Sequence, residues 1–234
     1  MTTPQPAFDP LERAALGRRA EEVRDRVWSA SADPASVRIV AVTKGFGPDA
    51  VVAALGAGFT DIGENYADEL VAKAAHLDAT GVTTVPTWHF LGAVQRNKVV
   101  RLAPVARWWQ GVSRLEEGRA IAARCPGATM LVQVDVAGIP GRGGCHPDQV
   151  AALVGALRYE NLDVAGLMAV ASPHAPDRAR AEFSLVTRLA DDLSLPVRSM
   201  GMSDDFEAAL SEGSTMVRLG RCLFGPRTVR ARPG

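Results

Sequence analysis

Short apolar runs alternate with amphipathic stretches along most of this chain, from about residue 37 onward. The apolar runs are short enough for buried strands, and they lie at residues 38–44, 60–65, 87–92, 106–112, 129–136, 164–170, 197–203 and 215–220. Segments with a helical pattern lie between them, at residues 49–55, 67–77, 114–124, 148–158, 177–193 and 204–211. This alternation predicts repeated βα units with a parallel sheet.

About eight such units are present, which is the number that closes a (β/α)8 TIM barrel. A doubly wound open sheet is the structural alternative, because alternation alone does not show closure. We predict an α/β fold with a single domain over residues 1–234, in which the barrel occupies about residues 37–227. A chain of this length is ordinary for one barrel domain.

An extra helix precedes the predicted barrel, at about residues 9–29. Asp9 is a capping residue, Pro10 suits the first helical position, and Glu12 can complete a capping box. The break at residues 32–34 then separates this helix from the first strand.

The charge balance and the N-terminal sequence limit the expected classes of partner and the expected location. Lys plus Arg and Asp plus Glu both count 26, so the chain lacks the net positive charge typical of proteins that bind nucleic acid. The first residues lack a signal-peptide pattern and no apolar stretch is long enough to cross a membrane, so we expect a cytoplasmic protein without membrane contact. The three cysteines, Cys125, Cys145 and Cys222, have no C-x-x-C spacing and are expected to be reduced thiols.

Polar residues stand at the predicted strand ends, where barrel enzymes carry their reactive groups. They include Lys44, Glu64, Asn65, His89, Gln133, Asp135, Ser203 and Arg218. Because every strand must also lead into a solvated loop, each residue has a purely structural alternative.

Lys44 ends an apolar run and shares a strand face with Val40 and Val42. Desolvation lowers the pKa of a lysine, and the neutral amine is the form that attacks an aldehyde to give a Schiff base. The alternative is a lysine whose stem packs on the strand while its ammonium reaches water.

Arg218 lies inside the last apolar run, where a guanidinium is costly unless it is paired. One interpretation is an ion pair with an inward carboxylate, either Glu64 or Asp135. The other is a donor to the ring nitrogen or phosphate of a ligand.

Glycine-containing turns at residues 200–203 and 219–221 follow the seventh and eighth strands, where barrels often bind phosphate. Ser203 is a candidate phosphate donor, but Ser203 or Asp204 can instead cap the next helix, since Asp204 with Glu207 fits a capping box. The glycine-rich stretch at residues 138–144 matches no nucleotide fingerprint in this context and is interpreted as a flexible loop.

His89 lies among apolar residues, where a histidine is more often a hydrogen-bonded core residue than a catalyst. The four histidines have no metal-ligand spacing, so no metal site is predicted.

Several motifs in a fixed order carry a family resemblance. They are Ala-Val-Thr-Lys at 41–44, Gly-Glu-Asn-Tyr at 63–66, Trp-His-Phe-Leu-Gly at 88–92 with Gln95, Asn97 and Lys98, Met-Gly-Met-Ser-Asp-Asp at 200–205, and Gly-Ser-Thr-Met-Val-Arg-Leu-Gly at 213–220 followed by Phe224 and Gly225. Together they span about residues 38–227 and resemble the pyridoxal 5'-phosphate (PLP) homeostasis protein family.

The resemblance implies a barrel of the alanine-racemase-like PLP fold, fold type III, with PLP bound covalently to Lys44 as a Schiff base. It implies roles for the other matching positions: Ser203 and the N–H groups of Gly220 and Arg221 at the phosphate, Arg218 at the pyridine nitrogen, and Asn65 and His89 lining the pocket. One position departs from the family, because members commonly have Thr or Ser where this chain has Arg221.

The function implied is a non-enzymatic one: the protein buffers or carries PLP, helps to maintain vitamin B6 and the amino-acid and keto-acid balance, and passes PLP to apo PLP-dependent enzymes. We expect a monomer or a weak dimer. The alternative is a PLP-dependent amino-acid racemase, which needs acid/base groups on both faces of the cofactor. Tyr66 follows the second predicted strand and is the tyrosine best placed for that role, whereas Tyr159 is the only other one. A third possibility is a Schiff-base aldolase, although those enzymes usually carry the lysine on a later strand.

Overall fold

Eight parallel strands form a closed barrel in the computed structural model, which describes residue 8 and residues 10–226. The strands are β1 (Arg38–Val42), β2 (Asp61–Glu64), β3 (Thr87–Phe90), β4 (Trp108–Val112), β5 (Thr129–Val134), β6 (Asp163–Ala169), β7 (Val197–Ser199) and β8 (Met216–Leu219). They are hydrogen-bonded in chain order, and β8 pairs with β1 to close the ring. The prediction of a (β/α)8 barrel is confirmed, and the open-sheet alternative is wrong.

Helices follow the strands and surround the barrel. They are α1 (Pro10–Ala30), α2 (Pro48–Gly56), α3 (Ala67–Thr80), α4 (Arg96–Leu102), α5 (Leu115–Ala122), α6 (Val150–Tyr159), α7 (Pro176–Asp192), α8 (Phe206–Ser211) and α9 (Arg221–Phe224). Short 3-10 turns lie at Pro34–Ser36 and Pro147–Gln149. The sequence pattern predicts all of these helices except α4 and α9.

The extra N-terminal helix, α1, packs against α8 and α9. Its buried residues Leu16, Ala20, Val23 and Val27 are spaced by four and three positions, which puts them on one helical face. The predicted helix at about residues 9–29 is therefore confirmed. The predicted cap at Asp9 lies outside the described residues, as do residues 227–234.

Two hydrophobic clusters follow from the alternation of side chains along each strand. The larger one fills the space between the strands and the helices. The smaller one lies inside the barrel, where Val40, Leu131, Met168 and Met216 pack together. Polar residues share that interior and are described with the site.

Glycine is required where β6 and β7 approach most closely. A Cβ atom on Gly166 would lie 1.9 Å from the carbonyl oxygen of Val197, well inside any allowed contact. The pairing of these two strands therefore depends on the missing side chain.

Three further observations concern the residues that the structure describes. Cys125, Cys145 and Cys222 form no disulfide among the described residues. No group of acidic, histidine or cysteine side chains in this part of the chain is arranged to hold a metal ion. Among the described helices, none has the length and apolar character needed to cross a bilayer.

Candidate functional site

A cavity of about 1080 Å³ opens at the carboxyl ends of the strands. Its lining includes residues that follow β1, β2, β3, β6, β7 and β8, so the barrel brings together positions far apart in the sequence. Six of the seven predicted site residues line it: Lys44, Asn65, Ser203, Arg218, Gly220 and Arg221. This is the end of the barrel at which parallel α/β barrels carry their functional groups.

Lys44 lies two residues beyond β1, in the turn that leads into α2. The residues on both sides of Lys44 are held by α3, because Lys73 Nζ donates to the carbonyl oxygen of Thr43 at 2.7 Å and the N–H of Gly45 donates to Glu69 Oε2 at 2.8 Å. These two bonds fix the backbone from which the Lys44 side chain enters the cavity.

Beneath that turn, a buried ion pair joins β2 to α3. Lys73 Nζ contacts Glu64 Oε1, and the hydroxyl of Thr43 donates to the same oxygen at 2.7 Å. Burial raises the pKa of Glu64, while the charge of Lys73 opposes that shift. Glu64 Oε2 has no hydrogen-bond partner among the described residues.

Arg218 is buried on β8 and lines the cavity, but its hydrogen bonds are all to neutral oxygen atoms. Nη1 donates to the carbonyl oxygen of Ser199 at 2.6 Å and to its hydroxyl at 2.7 Å, and Nη2 donates to the carbonyl oxygen of Ala169 at 2.7 Å. Burial lowers the pKa of Arg218 to about 10, although the nearby carboxylate of Asp205 opposes the shift.

The alternative interpretation, an ion pair between Arg218 and Glu64 or Asp135, is therefore excluded. Glu64 faces α3 on the outside of the barrel wall, and Asp135 accepts from the N–H of Gly138 in its own loop. Three bonds use three of the five N–H groups of a guanidinium, so two make no bond within the described part of the chain.

Ser203 lies beside α9 because the turn before it is tight. Gly201 has a φ of +88°, and a Cβ there would lie 2.8 Å from Phe206 Cα. The Ser203 hydroxyl accepts from the N–H of Cys222 at 3.2 Å, and its own hydrogen can rotate between the Cys222 sulfur and an acceptor in the cavity. Ser203 thus links the turn after β7 to the first turn of α9.

The structural alternative for this turn, a capping box of Asp204 and Glu207 on α8, is not formed. The helix begins at Phe206 with Asp205 at the cap position, where no side-chain cap bond is made. Asp204 pairs instead with the guanidinium of Arg221 at the rim of the cavity, and Glu207 pairs with Arg26 on α1. These partners come from distant parts of the chain and compete successfully with the local capping pattern.

His89 is the one predicted site residue that does not line the cavity. It is fully buried inside the barrel, where its ring bonds to Asp61 and Gln110 and stacks on Trp108 with ring centroids 5.4 Å apart. The structural alternative, a hydrogen-bonded core histidine, describes this environment. Its ring therefore lies in the barrel interior, below the cavity.

Comparison with known proteins identifies the family. A family model described as the N-terminal domain of alanine racemase matches residues 13–228. A pyridoxal phosphate homeostasis protein of Pseudomonas aeruginosa is 38% identical over 220 residues, which cover 91% of this chain and 94% of that protein. The chain belongs to the pyridoxal phosphate homeostasis protein family. The resemblance read from the motifs is confirmed.

Two further members of the family support this assignment. The pyridoxal phosphate homeostasis protein of Escherichia coli is 33% identical over 232 residues, covering 91% of this chain and 97% of that protein. The structure of PipY from Synechococcus elongatus with PLP bound superposes with a TM-score of 0.76 at 27% identity. That comparison covers 90% of this chain and all of PipY.

Some cavity residues were not singled out from the sequence. Arg142 lines the cavity and donates from Nη1 to the carbonyl oxygen of Ala171 at 2.9 Å, so the glycine-rich loop after β5 contributes a cation to the site. His174, with a φ of +57°, and Asp205 also line it. An arginine within a glycine-rich loop after a barrel strand was the available signal for Arg142.

Tyr66, the candidate acid/base group for the second face of the cofactor in a racemase, does not line the cavity. Tyr66 stands at the start of α3 with 56% of its surface exposed. Tyr159 is at the end of α6 and is 89% exposed. Neither tyrosine of this family member is placed among the groups that line the cavity.

Proposed function

We propose that this protein binds PLP in the cavity at the carboxyl end of the barrel and buffers or carries the cofactor, helping to maintain intracellular vitamin B6 and amino-acid balance. The observation that carries the proposal is that Lys44 and Arg218 line the same cavity, and that the guanidinium of Arg218 does not use all its N–H groups in bonds to the described residues. The names of the relatives and the PLP-bound state of PipY support it.

The lysines of the chain differ in their position relative to the cavity. There are three in the sequence, Lys44, Lys73 and Lys98, and all lie in the described part. Lys73 is buried in its ion pair with Glu64, and Lys98 lies on α4 with its Nζ 3.8 Å from Asp68. Lys44 alone among them lines the cavity, so it is the amine that can meet an aldehyde there.

The donors of the cavity fit the chemical groups of PLP. Two N–H groups of Arg218 make no bond to the described residues and suit an acceptor such as the pyridine nitrogen, and the cation disfavours protonation of that nitrogen. The Ser203 hydroxyl, the N–H groups of Gly220 and Arg221, and the Arg221 side chain suit the phosphate. Asn65 lines the same cavity, and His89 lies beneath it, where its ring is bonded to Gln110.

Size and electrostatics also agree with a holding function. The cavity of about 1080 Å³ is slightly larger than the roughly 300–1000 Å³ usual for small-molecule sites, so PLP fits with room for a second small molecule. When bound, PLP supplies an aldehyde and an electron-withdrawing ring. A guanidinium at the ring nitrogen weakens that withdrawal relative to a carboxylate partner, which favours binding over carbanion chemistry.

We further propose that the link is covalent. Lys44 Nζ attacks the aldehyde carbon, a C=N bond forms, and the aldehyde oxygen leaves as water. The test is the absorption spectrum of the purified protein with PLP, followed by borohydride reduction and peptide mapping. We expect an imine band in the visible range that reduction removes, with PLP then fixed to Lys44.

Matched variants make this test specific. Lys44→Ala should lose the band, because no other lysine lines the cavity. Lys98→Ala is the control and should keep it, since Lys98 is on the surface of α4. Attachment of PLP to Lys73 or Lys98 in the unmodified protein would refute the assignment, and a complete lack of PLP binding would refute the proposed function.

The carrier role is tested separately from binding. Protein loaded with PLP is mixed with an apo PLP-dependent enzyme, and recovery of that enzyme's activity is compared with recovery from an equal concentration of free PLP. Transfer at a rate that depends on the loaded protein supports delivery. If the loaded protein releases no PLP over many hours, the proposed function is limited to storage.

A further inference from the structure

A continuous series of hydrogen bonds crosses the barrel interior from Arg218 to Asp61. Arg218 Nη1 is 2.7 Å from the Ser199 hydroxyl, which is 2.7 Å from Gln110 Oε1. Gln110 Nε2 is 2.8 Å from His89 Nδ1, and His89 Nε2 is 2.8 Å from Asp61 Oδ1. We call these five residues the barrel relay.

The direction of every bond in the relay follows from its arginine end. A guanidinium only donates, so the Ser199 oxygen accepts from Arg218 and its hydrogen must point to Gln110. Gln110 then accepts through its carbonyl oxygen, which leaves its NH₂ group facing His89. His89 Nδ1 must accept, so the ring hydrogen is on Nε2 and points to the Asp61 carboxylate.

The middle of the relay is fully buried and fully bonded. Ser199, Gln110 and His89 have no exposed surface, and the second amide hydrogen of Gln110 is directed to Met216 Sδ at 3.2 Å. A buried polar group that loses its partner costs more than the bond itself contributes. Removal of one member therefore disturbs its neighbours along the series.

The far end of the relay is anchored at the amino-terminal mouth of the barrel. Asp61 begins β2, with its carboxylate 3.8 Å from Arg38 Nε, and Arg38 lies over the ring of Trp108. Burial lowers the pKa of His89, the bond to Asp61 opposes that shift, and the charge of Arg38 adds to it. A neutral imidazole agrees with the direction of the bonds.

We propose that the barrel relay positions the guanidinium of Arg218 for the cofactor, so that Ser199, Gln110 and His89 are positioning residues of the site although none of the three lines the cavity. Both hydrogens of Nη1 are engaged by Ser199, which fixes the plane in which the two unused N–H groups lie. This explains why a buried cation is retained on β8 without a carboxylate in contact.

The first test needs no ligand. Nitrogen-15 NMR of the ligand-free protein reports the tautomer of His89, and the relay requires a neutral ring with its hydrogen on Nε2. In Gln110→Met, which removes the donor to Nδ1, the His89 signals should shift while the fold is kept. A hydrogen on Nδ1 in the unmodified protein would overturn the relay, whatever the protein binds.

The second test rests on the proposed function and compares PLP with an analogue that has carbon in place of the ring nitrogen. If the relay acts through Arg218, Ser199→Ala and Gln110→Met should each weaken PLP binding by about tenfold, the loss expected when a bond to a charged group is poorly aimed. Binding of the carbon analogue should change little. Ser199→Thr keeps the hydroxyl and should restore much of the PLP affinity.

Controls separate this effect from general repacking. Leu131→Met alters the apolar part of the barrel interior, replaces none of the five relay residues and should leave both affinities unchanged. Equal losses for PLP and its carbon analogue, or no loss for either, would overturn the positioning role. If the unmodified protein binds neither ligand, the proposed function fails instead, and the His89 tautomer still decides whether the relay exists.

Discussion

Replacing Ser203 by alanine removes two hydrogen bonds whose losses can be measured separately. The hydroxyl accepts from the N–H of Cys222 at 3.2 Å, and its hydrogen, which also reaches the Cys222 sulfur, can turn to a phosphate oxygen in the cavity. Loss of the first bond should lower the free energy of unfolding by about 0.5 to 1.5 kcal/mol. Loss of the second should weaken PLP binding by about 1 to 3 kcal/mol, which is roughly 5- to 150-fold in Kd.

The matched ligand is pyridoxal, which has the same aldehyde and ring but lacks the phosphate. We expect Ser203→Ala to weaken PLP binding and to leave pyridoxal binding nearly unchanged, as measured by titration of the absorption band. Ser203→Thr retains the hydroxyl and should bind PLP more tightly than Ser203→Ala. The unfolding free energy, measured in urea, gives the structural part of the effect.

Two results would refute the reasoning. An unchanged Kd for PLP would mean that Ser203 serves only to bond Cys222. Equal weakening of PLP and pyridoxal would mean that the substitution acts by disturbing the turn after Gly201 rather than through the phosphate.

Three other predictions concern stability and turnover. Lys73→Met leaves the buried Glu64 carboxylate unpaired and should cost about 3 to 5 kcal/mol near pH 8. Burial raises the folded-state pKa of Glu64 and Lys73 opposes that shift, so the substitution should raise this pKa further. The cost should therefore be absent below the unfolded pKa of about 4.3 and grow as pH rises above it. Equal losses in urea at about pH 5 and pH 8 would contradict this. Gly166→Ala forces a clash with Val197 and should lower the free energy of unfolding by at least about 1 to 3 kcal/mol. Its control is Gly155→Ala on α6, where a Cβ meets no atom within 4 Å and the free energy of unfolding should rise by up to about 1 kcal/mol. Similar thermal midpoints for the two variants would contradict the close approach of β6 and β7. With saturating PLP, alanine racemisation should stay below about 1 per second, and a turnover number of about 1 to 1000 per second would favour the racemase alternative.

Much of the fold could be predicted because a parallel barrel leaves a simple trace in the sequence. Its strands are buried on both faces and appear as apolar runs, while each intervening helix shows one apolar face. The short helix α4 escaped detection because it begins with Arg96, Asn97 and Lys98 and buries only Val99 and Leu102. The four-residue α9 is too short to show a period.

The site was predictable where a residue follows the end of a strand, as Lys44 and Ser203 do. His89 was not, because its height along the barrel axis depends on strand stagger, which sequence spacing does not reveal. Which charged residues form ion pairs with one another could not be predicted either. Glu64 pairs with Lys73 on the outer wall rather than with Arg218, since the two faces of a strand lead to different compartments of the fold.

The ion pair between Arg221 and Asp204 has a consequence for ligand exchange. Both side chains are exposed at the cavity rim, where such a pair contributes only about 0 to 1 kcal/mol. Asp204 is nevertheless a tethered anion, held at high effective concentration beside the cation that an incoming phosphate would use. The chain thus carries its own weak competitor for the phosphate, and displacement in either direction has a low energetic cost. Under the proposed carrier function, this self-competition favours exchange of the bound molecule over permanent retention.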